Sequence, residues 1–159
     1  GIPVDFTNEG IRGLCHDRAT SFPAQCGQGA TWDRALIRQI ANVTAQEASV
    51  LGYTNVYAPI LDVSRDPRWG RVVECYSESP YLAGELGKQM VLGLQENRIV
   101  STPKHFAVYS LPVGGRDEGT RTDPHVAPKE MKTLLWWSVL PCNECLKPMK
   151  SVGINLVPW

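Results

Sequence analysis

The sequence predicts an α/β protein built on a parallel sheet, and three observations support this class. Short apolar segments that suit buried strands alternate along the chain with amphipathic segments at helical spacing. The connections between the predicted strands are long enough to contain a helix, which is typical of parallel pairing. Polar residues gather directly after the predicted strands, where ligands bind in parallel sheets.

The first half of the chain contains two predicted strands and one predicted helix. Ile2–Phe6 is short and apolar enough for a buried strand. Asp33–Leu51 carries apolar residues near helical spacing, with a cap in Thr31–Asp33 and with Gly52 where the helix would end. Tyr53–Ile60 follows as the second predicted strand, which completes a first strand–helix–strand unit.

The second half of the chain continues this alternation. Pro80–Leu94 predicts a second amphipathic helix, with proline in its first turn and Asn97 near its end. Ile99–Phe106 predicts the third strand. The pattern then predicts a loop rich in glycine, proline and charge, a third helix and a fourth strand, at Leu111–Pro128, Pro128–Trp137 and Gly153–Val157.

Size, charge and cysteine content limit the classes of protein that the chain can belong to. Its 159 residues are enough for one modest domain with a core, and its 16 basic and 16 acidic residues balance to a formal charge of zero. No basic stripe indicates nucleic acid, and no apolar run approaches the ~20 residues of a membrane span. The C-x-x-C pair Cys142 and Cys145 lacks the second pair of a zinc site. We therefore expect no nucleic-acid partner, no membrane partner, no metal and no cofactor.

Two of the predicted strand ends carry side chains that suit a hydroxyl-rich ligand. The Glu9 carboxylate could accept hydrogen bonds from two adjacent hydroxyls, or it could cap the turn into Gly10 together with Asn8. Lys104 and His105 place a cation beside an imidazole, although a histidine alone is more often structural. Because neighbouring residues of a strand point to opposite faces, both side chains reach one ligand only if the strand ends there.

The loop after the second predicted strand contains DPRWGR, with two arginines around a tryptophan. Forked guanidinium donors suit carboxylate, phosphate or hydroxyl groups. The alternative is a structural network in which one arginine pairs with Asp66 or Glu74 and stacks on Trp69. We expect both uses: Arg71 faces the ligand, and Arg68 forms a structural support with Asp66 and Trp69.

A later acid–imidazole pair, Asp123 and His125, is a further candidate. It could orient a general acid or base, but an aspartate at this place more often caps the following helix. The chain contains no phosphate-binding loop, dinucleotide fingerprint, nucleophile elbow or metalloprotease helix. These motif classes therefore give no other catalytic candidate.

Several motifs in a fixed order resemble glycoside hydrolase family 3, a family of exo-acting β-glucosidases and β-xylosidases. They are FTNEGIRG at Phe6–Gly13, ATSFPAQCGQGATWD at Ala19–Asp33, the DPRWGR-containing segment Glu47–Gly87, and TPKHFAVYS at Thr102–Ser110. The resemblance covers residues 1–135 and implies a partial (β/α)8 TIM-like barrel, the incomplete front half of the family's N-terminal domain. Residues 136–159 depart from the family pattern and are interpreted as a divergent tail produced by a frameshift or a truncation.

The resemblance also implies an activity and a set of substrate contacts. It implies retaining hydrolysis of O-glycosyl bonds by two carboxylates, with a β-glucoside as substrate. A β-xylosidase or α-arabinofuranosidase is the nearest alternative, because the family has Asp at the position of Glu9 in many glucosidases and Glu in xylosidase-like members. A non-catalytic sugar-binding or defunct fragment is the alternative of another class. The implied substrate contacts are Glu9, Arg71, Lys104, His105 and Arg116.

The catalytic pair of the family has no counterpart in this sequence. The resemblance implies an Asp nucleophile in an S-D-x motif on a later strand and an acid/base Glu in a further domain, and the chain contains no S-D-x motif. We therefore expect that the 159-residue chain alone folds poorly and does not hydrolyse an aryl β-glucoside. The N-acetylhexosaminidase branch uses an Asp-His dyad that Asp123 and His125 resemble, but Ala107–Ser110 replaces its P-G-H-G and disfavours that branch.

The sequence leaves the compartment open. Its first ten residues contain neither the charged nor the apolar region of a signal peptide. A periplasmic or secreted parent protein is one interpretation.

Overall fold

Three short parallel strands form a sheet in which they are neighbours in sequence order. The computed structural model of the chain describes residues 1–2, 4–106, 108–115 and 129. The strands are β1 at Thr7–Glu9, β2 at Asn55–Tyr57 and β3 at Val100–Ser101. An isolated parallel bridge between Ile60 and Lys104 continues the pairing of the last two strands. The predicted α/β class with a parallel sheet is therefore confirmed.

The first strand lies later in the chain than its apolar pattern predicts. The prediction of a buried strand at Ile2–Phe6 is wrong, because the strand is Thr7–Glu9. Ile2, Val4 and Phe6 are all exposed, so their apolar character does not mark burial in the described part of the chain. The other two strands are also shorter than the predicted segments that contain them.

Two long helices form where the sequence predicts them, because local signals fix both of their starts. Helix α2 is Arg34–Leu51; the Asp33 side chain accepts hydrogen bonds from two backbone N–H groups of its first turn, and Gly52 follows it with a φ of +84°. Helix α3 is Pro80–Glu96, with proline at its first position and with Ser79 as its cap. These bounds confirm the two helix predictions.

Helices α2 and α3 pack together and cover one face of the sheet. A Cβ atom added to Gly93 would lie 2.5 Å from Cβ of Ala41, so the two helices approach closely at this point. Along β2, Val56 is fully buried under the helices whereas Tyr57 is partly exposed, as strand alternation requires. The fully buried apolar side chains of this core include Ile37, Ala41, Val56, Leu86, Met90 and Leu94.

A short helix, α1 at Gln25–Gly29, was not predicted. Its sequence, QCGQG, contains two glycines and no apolar period, so no local pattern indicates a helix. It packs against the loop that follows β2 and contacts helix α3. Tertiary contacts rather than intrinsic propensity therefore place this helix.

The remaining predicted elements lie mostly outside the described residues. These are the loop after Gly115, the helix at Pro128–Trp137 except Lys129, the strand at Gly153–Val157 and the tail at residues 136–159. Within the described part of the chain, no helix is both long and apolar enough to cross a membrane.

Candidate functional site

The carboxyl ends of the three strands meet at one edge of the sheet, and each end carries charged side chains. Glu9 is the last residue of β1. Asp62 and the arginine-containing loop follow β2, and Lys104 and His105 follow β3. Because the strands are parallel and adjacent, residues that are far apart in sequence are brought together here.

Lys104 and Glu9 form an ion pair across this edge. The Lys104 Nζ donates hydrogen bonds to both carboxylate oxygens of Glu9, at 2.9 and 2.8 Å. The same ammonium group lies 5.7 Å from the ring centroid of Tyr57, which is paired opposite Glu9 in the sheet. Glu9 is the more exposed partner, with 48% of its side chain accessible against 18% for Lys104. The Glu9 carboxylate is therefore held in place and still open to a ligand.

His105 is fixed by the buried carboxylate of Asp62. Oδ2 of Asp62 lies 2.6 Å from Nδ1 of His105 and accepts a hydrogen bond from the His105 backbone N–H at 3.3 Å. The Asp62 side chain is 2% exposed, whereas that of His105 is 25% exposed. The peptide bond between Lys104 and His105 is cis. The regular strand has ended before this pair, and both side chains reach the site.

Arg71 lies next to Nε2 of His105, on the opposite side of the ring from Asp62. Its Nε and Nη2 donate to the two carboxylate oxygens of Glu74, at 3.0 and 2.6 Å, and its Nη1 is 3.2 Å from Nε2 of His105. The hydrogen bonds to Glu74 raise the pKa of Arg71, so this group remains charged at all relevant pH values. The guanidinium carbon lies 5.6 Å from the ring centroid of Tyr109.

The predicted support residues, Asp66, Arg68 and Trp69, belong to the same loop but differ in exposure. Arg68 donates from Nε and Nη2 to Asp66, at 3.0 and 2.7 Å, and these hydrogen bonds lower the pKa of the Asp66 carboxyl. Arg68 is largely exposed, with 69% of its side chain accessible. Trp69 is buried and makes an edge-to-face contact with Tyr109 at 5.3 Å between ring centroids. Arg68 and Arg71 therefore point to different surroundings.

Three residues of this arrangement had no predicted role, namely Tyr57, Asp62 and Tyr109, and Glu74 was predicted only as one of two possible partners of an arginine. Asp62 and Glu74 belong to the charged loop after β2, but the sequence does not show which cation each carboxylate contacts. The sequence could have indicated Tyr57 as a site residue, because it stands near the end of a buried strand. Tyr109 follows the Lys-His pair by four residues and carries no pattern that distinguishes it.

Three of the predicted site residues have no described geometry. Arg116, Asp123 and His125 lie outside the described residues and stay predictions. Among the residues that the structure does describe, no group of three or more potential metal ligands converges.

Cys75 is buried next to the loop that carries Arg68 and Arg71, so its reactivity tests how that loop packs. It is buried beside Trp69, its Sγ is 3.8 Å from the backbone oxygen of Arg71, and burial raises the pKa of its thiol to about 12. Because the thiolate is the nucleophile, we expect Cys75 to react with iodoacetamide about 100-fold more slowly than exposed Cys15 and Cys26 in the native chain. Peptide mass spectrometry after timed alkylation measures each site.

The matched control for this experiment is the same alkylation in concentrated urea. There, Cys75 should react at the rate of the other two cysteines, because both its burial and its raised pKa are lost. Equal rates for Cys75 and Cys15 under native conditions would show that the loop does not pack as described.

Comparison with known proteins identifies the family. The Glycosyl hydrolase family 3 N terminal domain matches residues 1–134. The chain is 38% identical to a β-xylosidase of Formosa agariphila over 69% of its own length and 17% of the relative's. It is 35% identical to a periplasmic β-glucosidase of Salmonella typhimurium over 75% of the chain and 16% of that protein. It therefore spans about a sixth of these relatives.

Solved structures agree with this result. A β-glucosidase of Listeria innocua in complex with glucose superposes with a TM-score of 0.67 and 39% identity, over 72% of this chain and 17% of that one. The match therefore extends from sequence to the arrangement of strands and helices. The resemblance predicted from FTNEGIRG, DPRWGR and TPKHF is confirmed, and the chain belongs to glycosyl hydrolase family 3.

Proposed function

We propose that the described strand ends form part of the sugar-binding pocket of a retaining exo-β-glycosidase that acts on β-glucosides. The observation that carries this proposal is the convergence of Glu9, Lys104, His105 and Arg71 at the carboxyl edge of the sheet. The β-glucosidase relatives and the Listeria innocua structure with bound glucose support a carbohydrate as the ligand. The described residues bind the sugar in this proposal, and none is assigned as nucleophile or acid/base.

The donors and acceptors of this edge suit a polyol. Sugar hydroxyls donate and accept at the same time, so they require both kinds of partner within a small area. Glu9 supplies an exposed acceptor, Lys104 and Arg71 supply donors, and the His105 ring lies between them. A cyclic sugar could therefore exchange the present side-chain contacts for contacts with its own hydroxyls.

The charges of the edge favour a neutral sugar over an anionic one. Lys104 is paired with Glu9, and Arg71 is paired with Glu74 through two hydrogen bonds. Asp62 adds a third carboxylate to these two cations, so the ionised groups carry an excess of negative charge. A uronate or phosphate group would have to displace a carboxylate from a cation that it already neutralises.

We also propose that the sheet is the front part of a (β/α)8 TIM-like barrel. The parallel strands follow one another in sequence order, with their helices packed on one face, as in such barrels. The ligand-binding side chains lie at the carboxyl ends of the strands, which is where barrel enzymes place their sites. In this proposal residues 1–135 belong to the barrel domain and residues 136–159 form a divergent tail.

A β-xyloside is the second candidate substrate, and Glu9 favours it. The glutamate side chain is longer than that of aspartate and is directed over the site by two contacts with Lys104. It leaves less room for the hydroxymethyl group that distinguishes glucose from xylose. The 38% identity to a β-xylosidase also supports this candidate.

Titration of the 159-residue chain with methyl β-D-glucoside and methyl β-D-xyloside, followed by NMR, tests the proposed site. Arg71→Lys is expected to weaken binding by about 10-fold, because lysine cannot keep the two-point contact with Glu74 and reach His105 at the same time. Arg68→Lys is the matched control, since the Arg68 side chain is 69% exposed and its described ion pair is with Asp66. We expect its affinity to equal that of the wild-type chain.

Methyl β-D-glucuronide provides the second control of the same titration. We expect it to bind about 10-fold more weakly than the glucoside, because its carboxylate meets the excess negative charge of the edge. Binding of neither neutral glycoside, or an equal loss in the two arginine variants, would contradict the proposed sugar site.

A further inference from the structure

The Asp62 carboxylate is buried directly beside His105. Its Oδ2 lies within hydrogen-bond distance of the ring Nδ1, at 2.6 Å, and accepts from the backbone N–H of His105. Burying a carboxylate is unfavourable unless hydrogen bonds compensate for its lost hydration. These contacts therefore stabilise the carboxylate and at the same time fix both the backbone and the ring of His105.

The opposite nitrogen of the same ring faces a group that can only donate. Nη1 of Arg71 lies 3.2 Å from Nε2 of His105, and a guanidinium has no acceptor. Nε2 must therefore accept, while Nδ1 must donate to the ionised carboxylate of Asp62. The two contacts independently select the same neutral Nδ1–H tautomer.

Glu74 holds Arg71, the neighbour of His105 on the Nε2 side, in place through an ion pair. It accepts from Nε and Nη2 of Arg71, while Nη1 of the same guanidinium lies 3.2 Å from Nε2 of His105. The row Glu74–Arg71–His105–Asp62 thus has a defined direction of hydrogen bonding from end to end. The imidazole cannot exchange its tautomer without losing a favourable contact on both sides.

We propose, on the basis of the proposed function, that Asp62 is a positioning residue that keeps His105 in the Nδ1–H form and presents Nε2 as an acceptor to a sugar hydroxyl. A hydroxyl that replaces Arg71 at Nε2 donates its hydrogen to the ring and accepts one from Nη1. Without Asp62, the ring can adopt the Nε2–H form, which removes this acceptor and opposes the donors of Arg71. Asp62 acts on the sugar only through His105.

Nitrogen-15 spectra of the imidazole in the 159-residue chain test the tautomer without any ligand. Replacing His16 and His125 with Gln leaves His105 as the only histidine, since the chain has three. We expect a protonated Nδ1 and a bare Nε2 near neutral pH, with a shift toward Nε2–H in Asp62→Ala. Asp66→Ala, which removes the carboxylate that pairs with Arg68 in the same loop, should leave the spectrum unchanged.

A bare Nδ1 or a doubly protonated ring in the chain with native Asp62 would overturn the proposal. That result does not depend on whether Asp62→Ala folds. An unchanged tautomer in folded Asp62→Ala would overturn it as well.

Binding of methyl β-D-glucoside separates this inference from the proposed function. Asp62→Ala and His105→Ala should each weaken binding by about 10-fold, and the double variant should be no weaker than either single variant. Additive losses would show that Asp62 does not act through His105. Absence of glycoside binding by the unsubstituted chain counts against the sugar site, whereas the spectra still decide whether Asp62 sets the tautomer.

Discussion

Gly29→Ala is expected to lower the free energy of unfolding by about 3 kcal/mol. A Cβ atom at Gly29 would lie 1.8 Å from the backbone carbonyl oxygen of Tyr76 and 2.7 Å from its carbonyl carbon. Because the obstacle is backbone rather than a flexible side chain, either helix α1 or the segment at Tyr76 has to move. The urea midpoint of unfolding, followed by circular dichroism, measures the change.

Gly27→Ala is the matched control, because Gly27 lies in the same short helix. A Cβ atom there would meet only Cβ of Pro23, at the ordinary contact distance of 3.4 Å. The variant should therefore be as stable as the wild type, or more stable by up to about 1 kcal/mol, because alanine favours a helix over glycine. Equal midpoints for the two variants would show that α1 does not pack against Tyr76 as described.

The close approach at Gly29 also bears on the proposed site. Tyr76 follows the loop segment that carries Arg71 and Glu74, and Cys75 between them is buried. A displacement of Tyr76 is therefore expected to disturb the ion pair of Arg71 with Glu74. This effect on glycoside binding should appear in Gly29→Ala and be absent from Gly27→Ala.

The parts of the fold that could be predicted are those that local chemistry determines. Asp33 and Ser79 cap the two long helices through their own side chains, and Gly52 ends one of them in the left-handed region. Helix α1 has no such signal, because contacts with residues distant in sequence place it. The Ile2–Phe6 prediction is wrong for a related reason: an apolar segment indicates burial only if another element covers it.

The candidate site could be predicted in composition but not in pairing. Strand-end placement indicated Glu9, Lys104 and His105, and the structure brings these three residues together. Their contacts with sugar stay predictions. The assignment of Asp62 to His105 depends on the path of the loops in space, which no spacing rule gives. Local spacing allowed Glu74 as an arginine partner but did not decide between the two arginines.

Gln25→Ala is expected to lower the free energy of unfolding by about 3 kcal/mol. The substitution leaves two buried backbone groups of Ile60 without a partner, and each such loss costs roughly 1–3 kcal/mol. The Gln25 side chain is fully buried, donates from Nε2 to the carbonyl oxygen of Ile60 and accepts from its N–H, both at 3.1 Å. Its amide thereby takes the place of a neighbouring strand beyond the end of β2. The urea midpoint again measures the loss, and Gln46→Ala on the exposed face of α2 is the control.

The same substitution is expected to weaken glycoside binding, because Ile60 supports two strand ends of the proposed site. It bridges to Lys104, and Asp62 follows it by two residues.

Gln25→Glu separates hydrogen bonding from volume: its ionised carboxylate keeps the size of the side chain and can accept from the Ile60 N–H, but it cannot donate to the Ile60 carbonyl. We expect Gln25→Glu to be destabilised as well, while Gln46→Glu stays near the wild type. Wild-type stability of Gln25→Glu would show that the amide does not act as the strand partner of Ile60.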